Sequence, residues 1–426
     1  MREDGFVLHG PTVYCTDRKT LCVKEDAWLV SVDGISQGVF DELPDEFRDL
    51  PVEDLWDKLI LPGFTDLHVH APQYQFRGLG MDLELIDWLN TSTFPEEARY
   101  ADPEYAERAY DQFVEDLYTG PTTRAAVYAT ADPDSTIILM DLLEETGLVS
   151  YVGKVNMDRN VPDYYVETTE ESLALTRFWL DVVRDECEYE NTYPILTPRF
   201  TPACSPELLS GLGKLMKEYG VPVQSHLSES VSEIEWVSEL DPESSFYGET
   251  YAKAGLFGEN GPCIMAHCVW SPEEETALMK RNGVYIAHCP ESNMNLASGV
   301  APVSQYLDQG MHVGLGSDVA AGSSASMFAA IRNAITASKL RKFFIEGNTR
   351  PLTFTDAFYM ATLGGGSFFG KAGSFMKGYE FDAVIIDDSS IAPILDLTPE
   401  QRAERLCYIG DDRHVCGKIV RGRRLY

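Results

Sequence analysis

The stretch Leu61-Pro62-Gly63-Phe64-Thr65-Asp66-Leu67-His68-Val69-His70 decides how this chain is read. Its apolar residues predict a strand over 61–70. The two histidines stand at i and i+2, positions that a strand turns to one face. Outward from it the pattern recurs: 61–70, 122–130, 148–158, 193–200, 222–228, 263–269, 284–290 and 312–318 read as eight short apolar strands. Amphipathic helices lie between them. Ala106, Ala109, Tyr110, Phe113, Val114 and Leu117 repeat at helical spacing, and Leu208, Leu209, Leu212, Leu215, Met216 and Tyr219 nearly do. Ser205 and Ser271 each precede a proline and predict N-caps; Ser271 with Glu274 reads as a capping box. Eight strand–helix units predict an α/β fold, a (β/α)8 TIM barrel over residues 61–374. A doubly wound sheet shares the alternation, but neither a G-x-G-x-x-G after the first strand nor a Walker loop is present.

Both chain ends read differently. Phe6–Cys15 and Thr20–Val32 carry β-branched and aromatic residues, Gly38–Phe40 adds a short strand, and Asp41–Lys58 is an acidic connector. Phe381–Asp387, Cys407–Ile409 and Gly417–Tyr426 predict strands again. The economical arrangement is a small β-sandwich-like domain built from residues 1–60 and 375–426.

Composition bounds the function classes. The chain has 426 residues, 44% hydrophobic and 24% charged, which excludes disordered, collagen-like and coiled-coil proteins. Its net charge of −34 repels phosphate backbones and anionic lipid, so neither nucleic acid nor a membrane surface is an expected partner. The nine cysteines form no C-x-x-C pair, which predicts reduced thiols in a cytoplasmic protein. MREDGFVLHG lacks the apolar core of a signal peptide, and no run approaches the ~18 apolar residues of a membrane span.

Of the eight histidines, His68, His70, His226, His267 and His288 end predicted strands, the face on which barrel active sites are built. His68 and His70 are either a packed pair or two ligands of one metal. His226, in Ser225-His226-Leu227-Ser228-Glu229, can supply a third nitrogen. Glu229 is either a surface residue opening a helix or a proton shuttle beside a metal-bound water. His267 can bind metal or the water. Asp318, after Gly314-Leu315-Gly316-Ser317, is either an N-cap or a ligand that also takes a proton. His288 reads equally as support or packing. His312 begins its strand, and it is read as structural, like His9 and His414.

H-x-H followed by single His, His and Asp residues at successive strand ends resembles the amidohydrolase superfamily. Strand four ends in Pro198-Arg199-Phe200, with no lysine placed as a bridging carbamate, which points to the mononuclear deaminase branch. His70-Ala71-Pro72-Gln73-Tyr74, Trp88-Leu89, Thr93-Phe94-Pro95-Glu96-Glu97-Ala98-Arg99, Pro198-Arg199-Phe200 and His288-Cys289-Pro290-Glu291-Ser292-Asn293 are similar to the guanine deaminase family, as is Gly314–Ala320. The resemblance implies one zinc per chain held by His68, His70, His226 and Asp318, with iron an alternative occupant because imidazole suits several metals. It implies replacement of the 2-amino group of guanine by water, giving xanthine and ammonia. Glu229 would move a proton from the water to the ring nitrogen beside C2, with His267 and Asp318 orienting and deprotonating the nucleophile. Gln73, Arg199 and Phe200, together with His226, Glu229 and Asp318, would hold the base. A homodimer is implied as well.

Two other readings stand beside this one. A relative acting on 8-oxoguanine, a pterin or a triazine needs the same metal set and differs in the pocket. A non-enzymatic scaffold would have lost ligands, and here none is missing. The other nucleobase deaminase site, His-x-Glu with Pro-Cys-x-x-Cys, is absent, since Pro262-Cys263 is followed only by Cys268.

Overall fold

In the computed structural model, which describes residues 5–426, the predicted strand over 61–70 is divided at Gly63 between two sheets. A Cβ on Gly63 would collide with the side chains of Thr123 and Asp382, so the crossing from one sheet to the other needs a glycine. Residues 1–4 of the MREDGFVLHG stretch lie outside the described residues.

In chain order the strands are β1 (Gly5–Cys15), β2 (Leu21–Val32), β3 (Ile35–Phe40), β4 (Val52–Asp54) and β5 (Leu59–Pro62); then β6 (Phe64–His70), β7 (Thr122–Tyr128), β8 (Val149–Gly153), β9 (Val155–Asn156), β10 (Thr192–Pro194), β11 (Thr197–Pro198), β12 (Val223–Leu227), β13 (Cys263–His267), β14 (Tyr285–His288) and β15 (His312–Leu315); and finally β16 (Ala383–Ile386), β17 (Val415–Val420) and β18 (Arg423–Arg424). The two chain ends share one sheet, ordered β18-β17-β16-β5-β1-β2-β3 with β4 on β1.

The middle of the chain is parallel throughout. It forms β10-β8-β7-β6, the pair β11-β9, and β12-β13-β14-β15. A bridge from Leu196 to Val223 joins the fourth strand position to β12. Beyond β15, Asp318 N donates to His68 O at 2.8 Å and Ser317 N to the Asp66 carboxylate at 3.0 Å, which ties that strand end back to β6. The strands predicted over 148–158 and 193–200 are each interrupted. Pro194 and Pro198 have no N–H for a ladder, and Gly153 lies against Thr197 where no Cβ fits.

The helical period selects the residues that are buried. Pro103–Thr119 buries Ala106, Ala109, Tyr110, Phe113, Val114 and Leu117. Pro206–Tyr219 starts as expected: Ser205 Oγ accepts from Leu208 N at 3.1 Å, and Pro206 fills the first helical position. Ser205→Ala is expected to cost about 1–2 kcal/mol. A urea midpoint that does not move would contradict this cap.

Two expectations are corrected. The helix Glu273–Asn282 begins after Pro272 with no side-chain cap, so Ser271 and Glu274 form no capping box. Glu275, the third helical residue, is drawn inward instead, accepting from Ser228 Oγ at 2.8 Å and Gly248 N at 2.7 Å. Cys407–Ile409 is not a strand but the end of the helix Pro399–Ile409, which buries Ala403, Leu406 and Cys407 at helical spacing. The β-favouring Cys-Tyr-Ile run is overridden by that period.

Between the end sheet and β7 lies a buried ionic clasp. Arg124 Nε meets Asp382 at 2.6 Å and its terminal nitrogen meets Glu380 at 2.6 Å. Among the described residues no helix is long and apolar enough to cross a membrane.

Candidate functional site

The C-terminal ends of β6, β12 and β13, and the turn after β15, carry His68, His70, His226, His267 and Asp318 to one place. Strand alternation puts both His68 and His70 on the same face. Ser228, His267, Cys268 and Asp318 have φ of 47°, 73°, 48° and 51°. Non-glycine residues pay about 1–3 kcal/mol each to sit in such sparsely populated backbone regions, and such strain clusters at functional sites.

The imidazole nitrogens converge. His68 Nε2 and His70 Nε2 are 3.2 Å apart, and His70 Nε2 and His226 Nε2 are 3.3 Å apart. Asp318 Oδ1 lies 3.3 Å from His68 Nε2 and 3.5 Å from His70 Nε2. Tetrahedral bonds of about 2.0–2.1 Å require donors about 3.3–3.4 Å from one another, so these four groups have the spacing of a zinc-type ligand set. Burial, then the neighbouring His68, holds His70 and His226 well below the ordinary imidazole pKa, leaving them neutral as ligands must be. The His226 Nδ1–H donates to Arg199 O at 2.5 Å, which fixes the tautomer with its Nε2 lone pair toward the centre. Burial alone would raise the Asp318 carboxyl, but His68, His267 and His70 hold it far below the usual carboxylate range. Cys289 also offers its sulfur near His68 and Asp318, a neighbour that spacing in the sequence did not single out.

Glu229 and His267 stand beside this set. His267 Nε2 is 3.5 Å from Glu229 Oε2 and 3.8 Å from Asp318 Oδ2. Asn293 Oδ1 accepts from the His267 Nδ1–H at 2.9 Å. Glu229 is buried, so it is not a surface residue opening a helix; Ser230, one residue on, is the N-cap of Val231–Leu240. Burial raises the Glu229 pKa, opposed by His267. Ser298 Oγ donates to Glu229 Oε1 at 2.9 Å.

His70, His226, Glu229, His267 and Asp318 open into one cavity, with His68 buried beneath them. Gln73, Arg199 and Phe200 line it too. Its apolar wall comes from Leu85, Trp88, Leu89 and Leu296. Arg199 is buried and held end-on by Glu97 at 2.6 and 3.0 Å. His288 is buried away from the cavity lining, with its pKa pushed down to about 3 by burial and the charge of His267. His312 stacks on Tyr285, and His9 lies between Asp26 and Asp54.

Several participants escaped the reading of the sequence. Glu233 lines the cavity and accepts from Glu229 N at 2.9 Å and Tyr247 OH at 2.9 Å. Burial and Glu229 push its pKa up to about 7. The signal for it, Ser230-Val231-Ser232-Glu233, is a capping box that also exists, so its local role masks the second one. Glu97 lies in the stretch Thr93–Arg99 that carries the family resemblance, but neither it nor Tyr165 stood out as a site residue, because their partners are distant in sequence.

The pattern of the amidohydrolase family matches residues 59–425. A guanine deaminase of Dictyostelium discoideum is 37% identical over 430 residues, covering 99% of this chain and 92% of that protein. The guanine deaminase of Escherichia coli K12 is 33% identical over 395 residues, covering 90% of this chain and 86% of that protein. The crystal structure of guanine deaminase from C. acetobutylicum with guanine in its active site superposes with a TM-score of 0.96 at 45% identity, covering 99% of this chain and 100% of that one.

Proposed function

The chain belongs to the amidohydrolase family, and from its likeness to guanine deaminases we infer that its reaction is the hydrolytic deamination of guanine to xanthine and ammonia. One observation carries the reading. Metal-spaced groups, a buried acid and a donor-lined slot meet at one cavity, in a chain 45% identical to a guanine deaminase with guanine bound. The scaffold and other-heterocycle readings have no observation in their favour.

His68, His70, His226 and Asp318 would hold one zinc. When bound, the metal supplies Lewis acidity and lowers the pKa of water toward about 7. Glu229 takes a proton from the attacking water and delivers it to the ring nitrogen beside C2; a buried, raised carboxyl is suited to carrying it. Asp318 orients the water and receives the second proton for the departing ammonia. His267 donates toward the oxygen that gains charge as C2 becomes tetrahedral. Arg199 donates to the carbonyl oxygen at C6, Gln73 reads the adjoining edge, and Phe200 with the Trp88 wall holds the ring flat.

The parallel strands from Phe64 onward are read as a closed (β/α)8 barrel, and the shared end sheet, which takes in Leu61 and Pro62, is read as a second unit. Nine free cysteines agree with a cytoplasmic location, and a homodimer is what the resemblance to the family implies.

A substrate panel tests the reaction: among guanine, 8-oxoguanine, pterin and a triazine, guanine is expected to give the highest kcat/KM for ammonia release. A higher value for any other base would reassign the substrate. Chelation is expected to abolish turnover and zinc to restore it at about one ion per chain. Full activity in metal-free protein would remove the ligand assignment.

A further inference from the structure

Glu97 does not line the cavity, yet it holds two of the polar side chains that do, Gln73 and Arg199. Its buried carboxylate accepts from Arg199 through both terminal nitrogens, from Gln73 Nε2 at 3.0 Å, and from Tyr165 OH at 3.1 Å. Gln73 Oε1 in turn accepts from Ala320 N at 3.3 Å. The amide is thereby oriented, because a flip would set its oxygen against the Glu97 carboxylate. A guanidinium has five N–H donors and no acceptor. With two committed to Glu97 and one near Met157 Sδ at 3.9 Å, the guanidinium can offer a bound molecule only donors, so it seeks an acceptor there.

Resting on the guanine reading above, we propose that Glu97 is a specificity-determining positioning residue: by locking Arg199 and Gln73 it makes the cavity select a base with a carbonyl oxygen facing Arg199 over one with an amino group there. An amino group opposite a fixed guanidinium sets donor against donor in a buried site. Sites built around a particular hydrogen bond reject partners that cannot make it far more strongly than apolar slots do. The Glu97–Arg199 pair also balances the buried charge, so the slot suits a neutral base.

2,6-Diaminopurine tests this, since it keeps the 2-amino group and carries an amino group in place of the C6 carbonyl. Ammonia release from each base is followed with the metal-loaded full chain. The wild type is expected to prefer guanine by about 100-fold or more in kcat/KM. Glu97→Gln is expected to raise KM for guanine about tenfold or more, to keep kcat within about threefold, and to shrink the preference at least about tenfold. Tyr165→Phe, which keeps the ion pair, should raise the guanine KM about two- to fivefold. An unchanged KM and preference in Glu97→Gln, or an equal loss on both bases, overturns the role of Glu97 and leaves the guanine reading standing. A wild type inactive on guanine overturns both. Should Glu97→Gln not fold, Tyr165→Phe decides alone, and an unchanged guanine KM overturns the proposal.

Discussion

Glu229→Gln is expected to lower kcat on guanine by about 10²–10⁴-fold, the range that a positioned acid–base group contributes. The substitution is nearly isosteric and its amide oxygen can still accept from Ser298 Oγ, so the local frame should persist. What it removes is the capacity to take up a proton and give it back. Glu229 is not one of the four groups with ligand spacing, so metal content should match the wild type. The expected pattern is therefore a collapse of kcat at constant metal and nearly constant KM. A variant with kcat within tenfold of wild type would show that the proton travels another way, with Asp318 or His267 as its carrier.

Asp382→Ala is expected to cost about 3–5 kcal/mol of stability, the penalty for leaving a buried charge without its partner. Arg124 and Asp382 are each 1% exposed and meet at 2.6 Å. Asp382 also accepts from Arg421 N at 2.9 Å, so the loss reaches both the end sheet and β7. Chemical unfolding of the variant should show a much lower midpoint. Replacing both Arg124 and Asp382 with apolar residues of similar volume should recover much of the loss, because the desolvation penalty is then gone as well. A single variant as stable as the wild type would mean that Glu380 alone satisfies Arg124.

What the sequence made legible follows from how far each signal reaches along the chain. The helix Pro103–Thr119 was readable because six apolar residues repeat at its own period. The metal-spaced groups were readable because each lies at or just past the C-terminal end of a strand, and strand alternation sets the facing of His68 and His70. The break at Gly63 was not readable: the apolar run continues through it, and only Thr123 and Asp382, far away in sequence, show that no Cβ fits there. Cys407–Ile409 misled because three residues favour β structure locally while burial is set by the helical spacing of Ala403, Leu406 and Cys407. Glu97 was invisible as a functional residue for a similar reason. In sequence it is one of two adjacent acids in a short helix, and its importance comes from Arg199, 102 residues away. Strand-end residues announce themselves, whereas the residues that aim them do so only in three dimensions.

The most direct measurement is the ultraviolet spectrum of guanine during incubation with metal-loaded protein, with ammonia assayed in the same sample. The account predicts conversion to the spectrum of xanthine with one ammonia released for each guanine consumed, and no conversion after chelation. An unchanged guanine spectrum from protein carrying its full complement of metal would contradict the central claim.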